Sequence, residues 1–266
     1  MKVQFCSLAS GSSGNCHFIS NGEEHLLVDA GLSGKKIQSK LQEIGFEPNK
    51  LTGIFISHEH NDHICGAGIL SRRFDIPIYA NEATWQAMES KLGSIKQENI
   101  KIFKTETTLH VGNLQITPYS ISHDAADPVG FVLKNKTVKI SIATDLGHIN
   151  QGILDKIGDS HLVVLESNHD EDMLKAGNYP YYLKRRILSD HGHLSNEAAG
   201  NAIVDLMKMN VKNILLAHLS KENNFPELAI MTVKSILDSH KINIGKDISI
   251  DLAHRDKASH LYAFEG

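Results

Sequence analysis

Residues 53–63 read Gly53-Ile54-Phe55-Ile56-Ser57-His58-Glu59-His60-Asn61-Asp62-His63, a short apolar run that opens directly into three histidines and an aspartate. Gly53 to Ser57 has the length and apolar character of a buried strand. The polar run therefore sits at that strand's carboxyl end, rigidly rooted and open to solvent. Alternate side chains of an extended segment point the same way, so His58 and His60 reach one metal ion, while Asp62 and His63, entering the following helix, turn toward a second. Imidazole and carboxylate suit zinc, manganese or iron, and two such ions about 3.5–4 Å apart form a hydrolytic pair. Adjacent polar residues often only decorate a loop, but four potential ligands within six residues are far more specific than a histidine count.

Three later positions repeat the pattern of a strand ending in a potential ligand. They are His123 after Ile116 to Ser122, Asp145 after Val138 to Thr144, and His218 after Ile214 to Ala217. Parallel or stacked strands that end at one edge bring all three to the same place.

Around these positions the sequence alternates strands and helices. Val3 to Ser7, Cys16 to Ile19 and His25 to Asp29 read as an antiparallel meander with Asn21-Gly22 as a hairpin turn. Ser33 caps a helix through Ile37, Leu41 and Ile44 that Gly45 ends. A second helix is expected from Asp62 or His63 toward Phe74, then a strand at Pro77 to Ala80 and a helix at Glu82 to Lys91. Leu114 to Tyr119, Gly130 to Leu133, Val138 to Ala143 and Leu162 to Leu165 are β-like, and helices near Glu197 to Met209 and Pro226 to His240 flank a strand at Asn213 to Ala217. This order predicts an α/β sandwich of two stacked sheets covered by outer helices, formed as a single domain over residues 1–266.

Composition sets the frame. With 27 Lys and Arg against 31 Asp and Glu the net charge is −4, and 41% hydrophobic residues exclude a disordered or fibrous chain. A charge of −4 neither excludes nor favours nucleic acid, because bound divalent ions add positive charge locally. No apolar run reaches a membrane span, and Met1 to Ser10 lacks the apolar core of a secretory signal, so a cytoplasmic protein without a membrane partner is expected. Cys6, Cys16 and Cys65 are too scattered for disulfides or a structural zinc site and read as small buried residues.

The HxHxDH run with a later His, Asp and His resembles the metallo-β-lactamase-fold superfamily over nearly the whole chain. The resemblance implies a four-layer αβ/βα sandwich. It implies that His58, His60 and His123 hold one metal, that Asp62, His63 and His218 hold the other, and that Asp145 bridges both. It also implies a metal-bridging hydroxide as nucleophile. As an inference beyond the motif, Asp62 is a catalytic candidate that orients this water or accepts its proton. The redox branch is expected to carry Glu where His60 stands. A secreted β-lactamase is expected to carry a signal and commonly Cys at the position of Asp145.

Ser7-Leu8-Ala9-Ser10-Gly11-Ser12-Ser13-Gly14-Asn15, Thr144-Asp145-Leu146-Gly147-His148, Glu166-Ser167-Asn168-His169 and His191-Gly192-His193-Leu194-Ser195 are similar to the YycJ or WalJ type of that superfamily. That group of bacterial 5′-to-3′ exonucleases implies DNA with a 5′ end as substrate, and a place in DNA repair with repair proteins as partners. His193 and Ser195 are candidates for phosphate contact before a helix N-terminus, with capping as the alternative for Ser195. Asn168, His169 and His148 either line the cleft or orient ligands, and Glu166 is placed to hydrogen-bond a ligand imidazole. The Gly-rich opening is a tight turn or a phosphate contact. Tyr179-Pro180-Tyr181-Tyr182-Leu183-Lys184-Arg185-Arg186 is either a base-stacking surface or an amphipathic helix with core tyrosines. The expected function is a two-metal exodeoxyribonuclease. The alternatives are a small-molecule cyclic phosphodiesterase of the PhnP kind and a non-catalytic, metal-stabilised binding module.

Overall fold

The structure, a computed structural model, describes residues 2–265. The predicted meander is present: β1 (Lys2–Ala9), β2 (Cys16–Ser20) and β3 (His25–Val28) pair antiparallel in sequence. Helix α1 (Gly34–Glu43) follows, capped by the Ser33 hydroxyl, which accepts from the Lys36 amide. Then β4 (Gly53–Phe55), β5 (Ile78–Asn81) and β6 (Ile100–Phe103) add to β3 in parallel, joined by α2 (Asn61–Ile64), α3 (Ala67–Phe74) and α4 (Glu82–Leu92).

The second half begins with an antiparallel run of β7 (Leu109–Val111), β8 (Leu114–Ser120), β9 (Val129–Lys134) and β10 (Lys139–Ala143). It continues through α5 (Gln151–Ile157), β11 (Leu162–Glu166), α6 (Glu171–Ala176), α7 (Tyr181–Ile187), α8 (Asn196–Lys208), β12 (Asn213–Ala217), α9 (Pro226–Ser239) and β13 (Ser249–Leu252). The final strand, β14 (Tyr262–Glu265), crosses to the first sheet and pairs with β1. Two seven-stranded mixed sheets result, ordered β14-β1-β2-β3-β4-β5-β6 and β13-β12-β11-β10-β9-β8-β7.

Period-two alternation explains how the sheets stack. In β11 and β12, Val164, Leu215 and Ala217 join Phe5, Ile19, Phe55 and Phe131 in a core shared by both sheets, while Val163, Leu165, Ile214 and Leu216 face α8 and α9 through Ile203, Leu206, Val233 and Leu237. On the other outer face, Ile37, Leu41, Leu70, Trp85 and Met88 from α1, α3 and α4 cover the first sheet. The central strands are apolar on both faces because both faces are covered. This is the expected αβ/βα sandwich.

Several boundaries differ from the expectation. The helix expected from Asp62 or His63 to Phe74 is two helices, because the Gly66 amide leaves the run to donate to the Ala30 carbonyl at 2.7 Å, and a Cβ there would lie 2.4 Å from the Leu32 carbonyl. Cys65, at this break, is exposed, whereas Cys6 and Cys16 are buried as expected. Strand β3 stops at Val28 because Asp29 turns to φ +60°. Strand β4 stops at Phe55, and the Ser57 amide is claimed by the Asp29 carboxylate at 2.9 Å. Among the described residues no helix is long and apolar enough to cross a membrane.

Candidate metal centre

Strands β3, β4, β10, β11 and β12 deliver their carboxyl ends to one rim of the sandwich. Three residues there, Asp29, Asp145 and His218, hold left-handed backbone with φ of 60°, 59° and 57°. Such conformations are uncommon for residues with a side chain and persist where surroundings enforce them. Each turns the chain sharply at a strand end, so its side chain faces across the rim.

Two ligand sets assemble. His58, His60 and His123 form one, with ring centroids 4.6 to 5.2 Å apart and His58 Nε2 3.0 Å from His60 Nδ1. Asp62, His63 and His218 form the other, with Asp62 Oδ2 3.5 Å from His63 Nε2 and 3.8 Å from His218 Nε2. Asp145 lies between them, Oδ2 3.4 Å from His63 Nε2 and Oδ1 4.0 Å from His123 Nε2.

The chemistry of this donor set fits two cations. Asp145 Oδ2 and His218 Nε2 are buried without a hydrogen-bond partner, a costly arrangement for groups of this polarity. Bound cations would satisfy both. Burial, reinforced by neighbouring imidazoles, holds His58 well below the usual histidine range, so it is a neutral donor. Burial also lowers His123. Burial opposes charge at His218, yet Asp145, Asp62 and Glu166 push it up to about 10. His63 is raised by Asp29 and Asp145 against its burial. Burial works against the Asp62 carboxylate too, but the neighbouring His218 and His63 imidazoles hold it far below the usual carboxylate range. The surplus of carboxylate charge around these imidazoles is what bound cations would neutralise.

The ligands are themselves held. Asp29 Oδ2 lies 2.8 Å from His63 Nδ1, and Ser57 Oγ donates to both oxygens of Asp29. As expected, Glu166 contacts an imidazole of the cluster: Oε1 is 2.7 Å from His218 Nδ1 and 2.9 Å from His193 Nδ1, while Oε2 accepts from the Leu146 and Leu194 amides. Such partners fix ring orientation and raise ligand basicity. Glu166→Gln is therefore expected to weaken metal binding by about 10- to 100-fold. Chelator competition checks this, and an unchanged affinity would show that Glu166 does not orient His218.

The cluster opens into a cavity of about 240 Å³ lined by Ser12, Asn168, Tyr179, Arg186, His193 and Ser220, among others. Of the five residues expected to meet substrate, the cavity lining contains Asn168 and His193. Ser195 is not brought there: its hydroxyl is spent accepting from the Ala198 amide at the start of α8. His148 is turned to the Asp190 carbonyl, 3.2 Å from its Nδ1. His169 is buried with both ring nitrogens unpartnered and lies outside the lining.

The Gly-rich opening is a turn, closed by the Gly14 amide on the Gly11 carbonyl, and it carries Asn15 to 3.0 Å from His63 Nε2. Sequence reasoning missed the roles of Asp29 and Asn15, and it left the stretch that contains Arg186 open between two readings. Asp29 was discoverable, since Leu26-Leu27-Val28-Asp29 repeats the pattern of an apolar strand ending in a carboxylate.

Fold and donor set together define a metal-dependent hydrolase. The chain belongs to the β-lactamase superfamily, whose domain model matches residues 24–219. It is 41% identical over 250 residues to exodeoxyribonuclease YycJ of Bacillus anthracis, covering 94% of this chain and 95% of that one. It is 40% identical over 260 residues to exodeoxyribonuclease WalJ of Streptococcus pneumoniae serotype 2, with 97% of each covered. The crystal structure of the metallo-β-lactamase-fold protein YhfI from Bacillus subtilis shares the fold, with a TM-score of 0.74, 16% identity and coverage of 99% of this chain and all of that one.

Proposed function

We propose that the chain is a two-metal phosphodiesterase, specifically a cytoplasmic 5′-to-3′ exodeoxyribonuclease that trims DNA ends in repair such as mismatch repair. The observation that carries this reading is the pair of three-residue ligand sets with Asp145 between them, opening on a cavity lined by imidazole, hydroxyl and guanidinium groups. DNA as substrate is supported by likeness to two exodeoxyribonucleases over nearly the whole chain. The polarity and the repair role extend that likeness.

His58, His60 and His123 would hold one ion, Asp62, His63 and His218 the other, and Asp145 both. Zinc or manganese, or alternatively iron, suits this set. When bound, such ions supply Lewis acidity and acidify water. His193, whose ring is oriented by the contact of its Nδ1 with Glu166, lines the cavity and is the candidate to meet a nonbridging phosphate oxygen. Asp62, held ionised, accepts a hydrogen bond from the attacking water and orients it. Asn168 donates to the His218 carbonyl at 2.9 Å and so holds the turn that carries this ligand.

The test follows a 3′-labelled, 5′-phosphorylated DNA strand with manganese-loaded protein and reads product lengths over time. Progressive shortening from the 5′ end is expected. A ladder from the other end would reverse the polarity. An intact strand beside rapid cleavage of bis(p-nitrophenyl) phosphate would assign the site to small phosphodiesters instead.

A further inference from the structure

One side of the cavity is a seven-residue helix whose two faces differ in character. Leu183, Arg186 and Ile187 of α7, with Tyr179 just before it, line the cavity. Tyr181, Tyr182 and Arg185 occupy the other face. The two tyrosines are 76% and 74% exposed, the highest values among large hydrophobic side chains of the described residues. They are not core residues, so the alternative of an amphipathic helix with buried tyrosines is overturned.

An aromatic ring left in water gains nothing for folding, since the hydrophobic contribution comes from area removed from solvent. Two adjacent rings so exposed, beside three consecutive cations, match the surface on which unpaired bases stack while the backbone is tracked electrostatically. Arg185 lies 6.0 Å from the Tyr181 ring centroid, covering one side of that ring with charge.

Arg186 points the other way. Its guanidinium pairs with Asp124, and Asp124 Oδ1 is 3.3 Å from His123 Nε2, so the arginine is tethered one residue from the ligand set. A guanidinium presents five donors, and one carboxylate leaves several free for phosphate oxygens.

We propose that α7 is the strand-gripping element of the site: Arg186 binds a backbone phosphate beside the ligand cluster, while Tyr181 and Tyr182 stack successive unpaired bases of the strand outside. This rests on the nuclease reading above and adds a strand preference to it. Binding is selective for single strands and indifferent to base identity, because every base offers a π-face and paired bases do not.

The experiment measures anisotropy of fluorescent phosphorothioate oligo(dT), which resists cleavage, on intact protein. The strand of about 12 nucleotides is expected to bind at least about tenfold tighter than one of about 3. In Tyr181→Ala/Tyr182→Ala that ratio shrinks to within about threefold, and Tyr181→Phe/Tyr182→Phe restores it. Arg186→Gln lowers the slope of log affinity against log salt by about 0.7, the value for one single-strand phosphate contact. A ratio that survives the alanine pair, one that also falls in the phenylalanine pair, equally strong binding of blunt duplex, or an unmoved salt slope would each overturn the proposal. Protein that shortens the labelled strand yet shows no length preference keeps its nuclease function and loses this role for α7. Protein that grips the longer strand through the tyrosines but cleaves nothing retains the role and loses the nuclease reading.

Discussion

Replacing Asp145 is expected to reduce phosphodiester cleavage by about 10³-fold or more, a loss of about 4 kcal/mol of transition-state stabilisation. Among the described residues, Asp145 is the one carboxylate within 4.0 Å of imidazole nitrogens from both ligand sets, His123 on one side and His63 and His218 on the other. Its removal leaves three histidines facing three ligands with no shared counter-charge. Metal content should fall below two ions per chain, which elemental analysis of the purified protein reads directly. Because Asp145 has φ +59°, alanine adds backbone strain to the loss of charge. Asp145→Asn separates the two effects, since asparagine tolerates this backbone and preserves the shape. Both variants should lose cleavage, while the asparagine variant should melt near the parent. Full activity in Asp145→Asn would mean that the bridging charge is not used and that the two-metal reading is wrong.

Gly31→Ala is expected to be the most damaging small substitution away from the ligands. A Cβ at Gly31 would lie 1.6 Å from the Asp62 carbonyl oxygen and 2.7 Å from the Asn15 amide nitrogen. The obstruction is backbone and not a flexible side chain. The neighbouring hydrogen bonds, Gly31 amide to Asn15 carbonyl at 2.8 Å and Asn15 amide to Asp62 carbonyl at 2.8 Å, leave no slack. Relief requires the 58–63 segment to move away from the first sheet. A methyl group forced into this contact should cost about 4 kcal/mol or more, at the extreme end for a single substitution. Any protein that does fold should lose about 10²-fold in activity, as expected for a displacement of about 1 Å at a catalytic group. Urea denaturation reads the first effect and initial rates the second. Wild-type midpoint and rate would show that the approach is looser than these distances indicate.

The parts of this site legible in the sequence share one property: each ligand follows directly on an apolar strand or lies in the dense 58–63 run. His58, His60, Asp62, His63, His123, Asp145 and His218 are all recognisable in that way, and the structure gathers all seven. The two-sheet architecture was legible for a similar reason, because the buried strands are short and apolar on both faces. What escaped depends on contacts distant in sequence. Asp29 meets His63 across 34 residues, and the two readings of the Tyr179 to Arg186 stretch stayed open because the partner of Arg186, Asp124, lies 62 residues earlier. Ser195 has a hydroxyl suited equally to a cap and to a phosphate, and only the helix geometry decides between them. The strands β13 and β14 carry interrupted apolar patterns, with the half-buried Asp251 and the exposed Glu265 among their residues, so periodicity alone could not find them.

The pairing of β14 with β1 has a consequence for how the protein is made. Lys2 pairs with Glu265, so 263 residues separate the two sides of this ladder. At about 5–20 residues per second, the outer edge of β1 waits on the order of 10–50 s on the ribosome before its neighbour exists. Throughout that interval the nascent first sheet carries an open row of amides and carbonyls, the template on which β-aggregation starts. Lys2 is the charged residue on that edge nearest to blunting it. A pause in translation between β13 and β14 is therefore expected to lengthen this exposure and to lower the yield of native protein, although all seven candidate ligands precede that stretch.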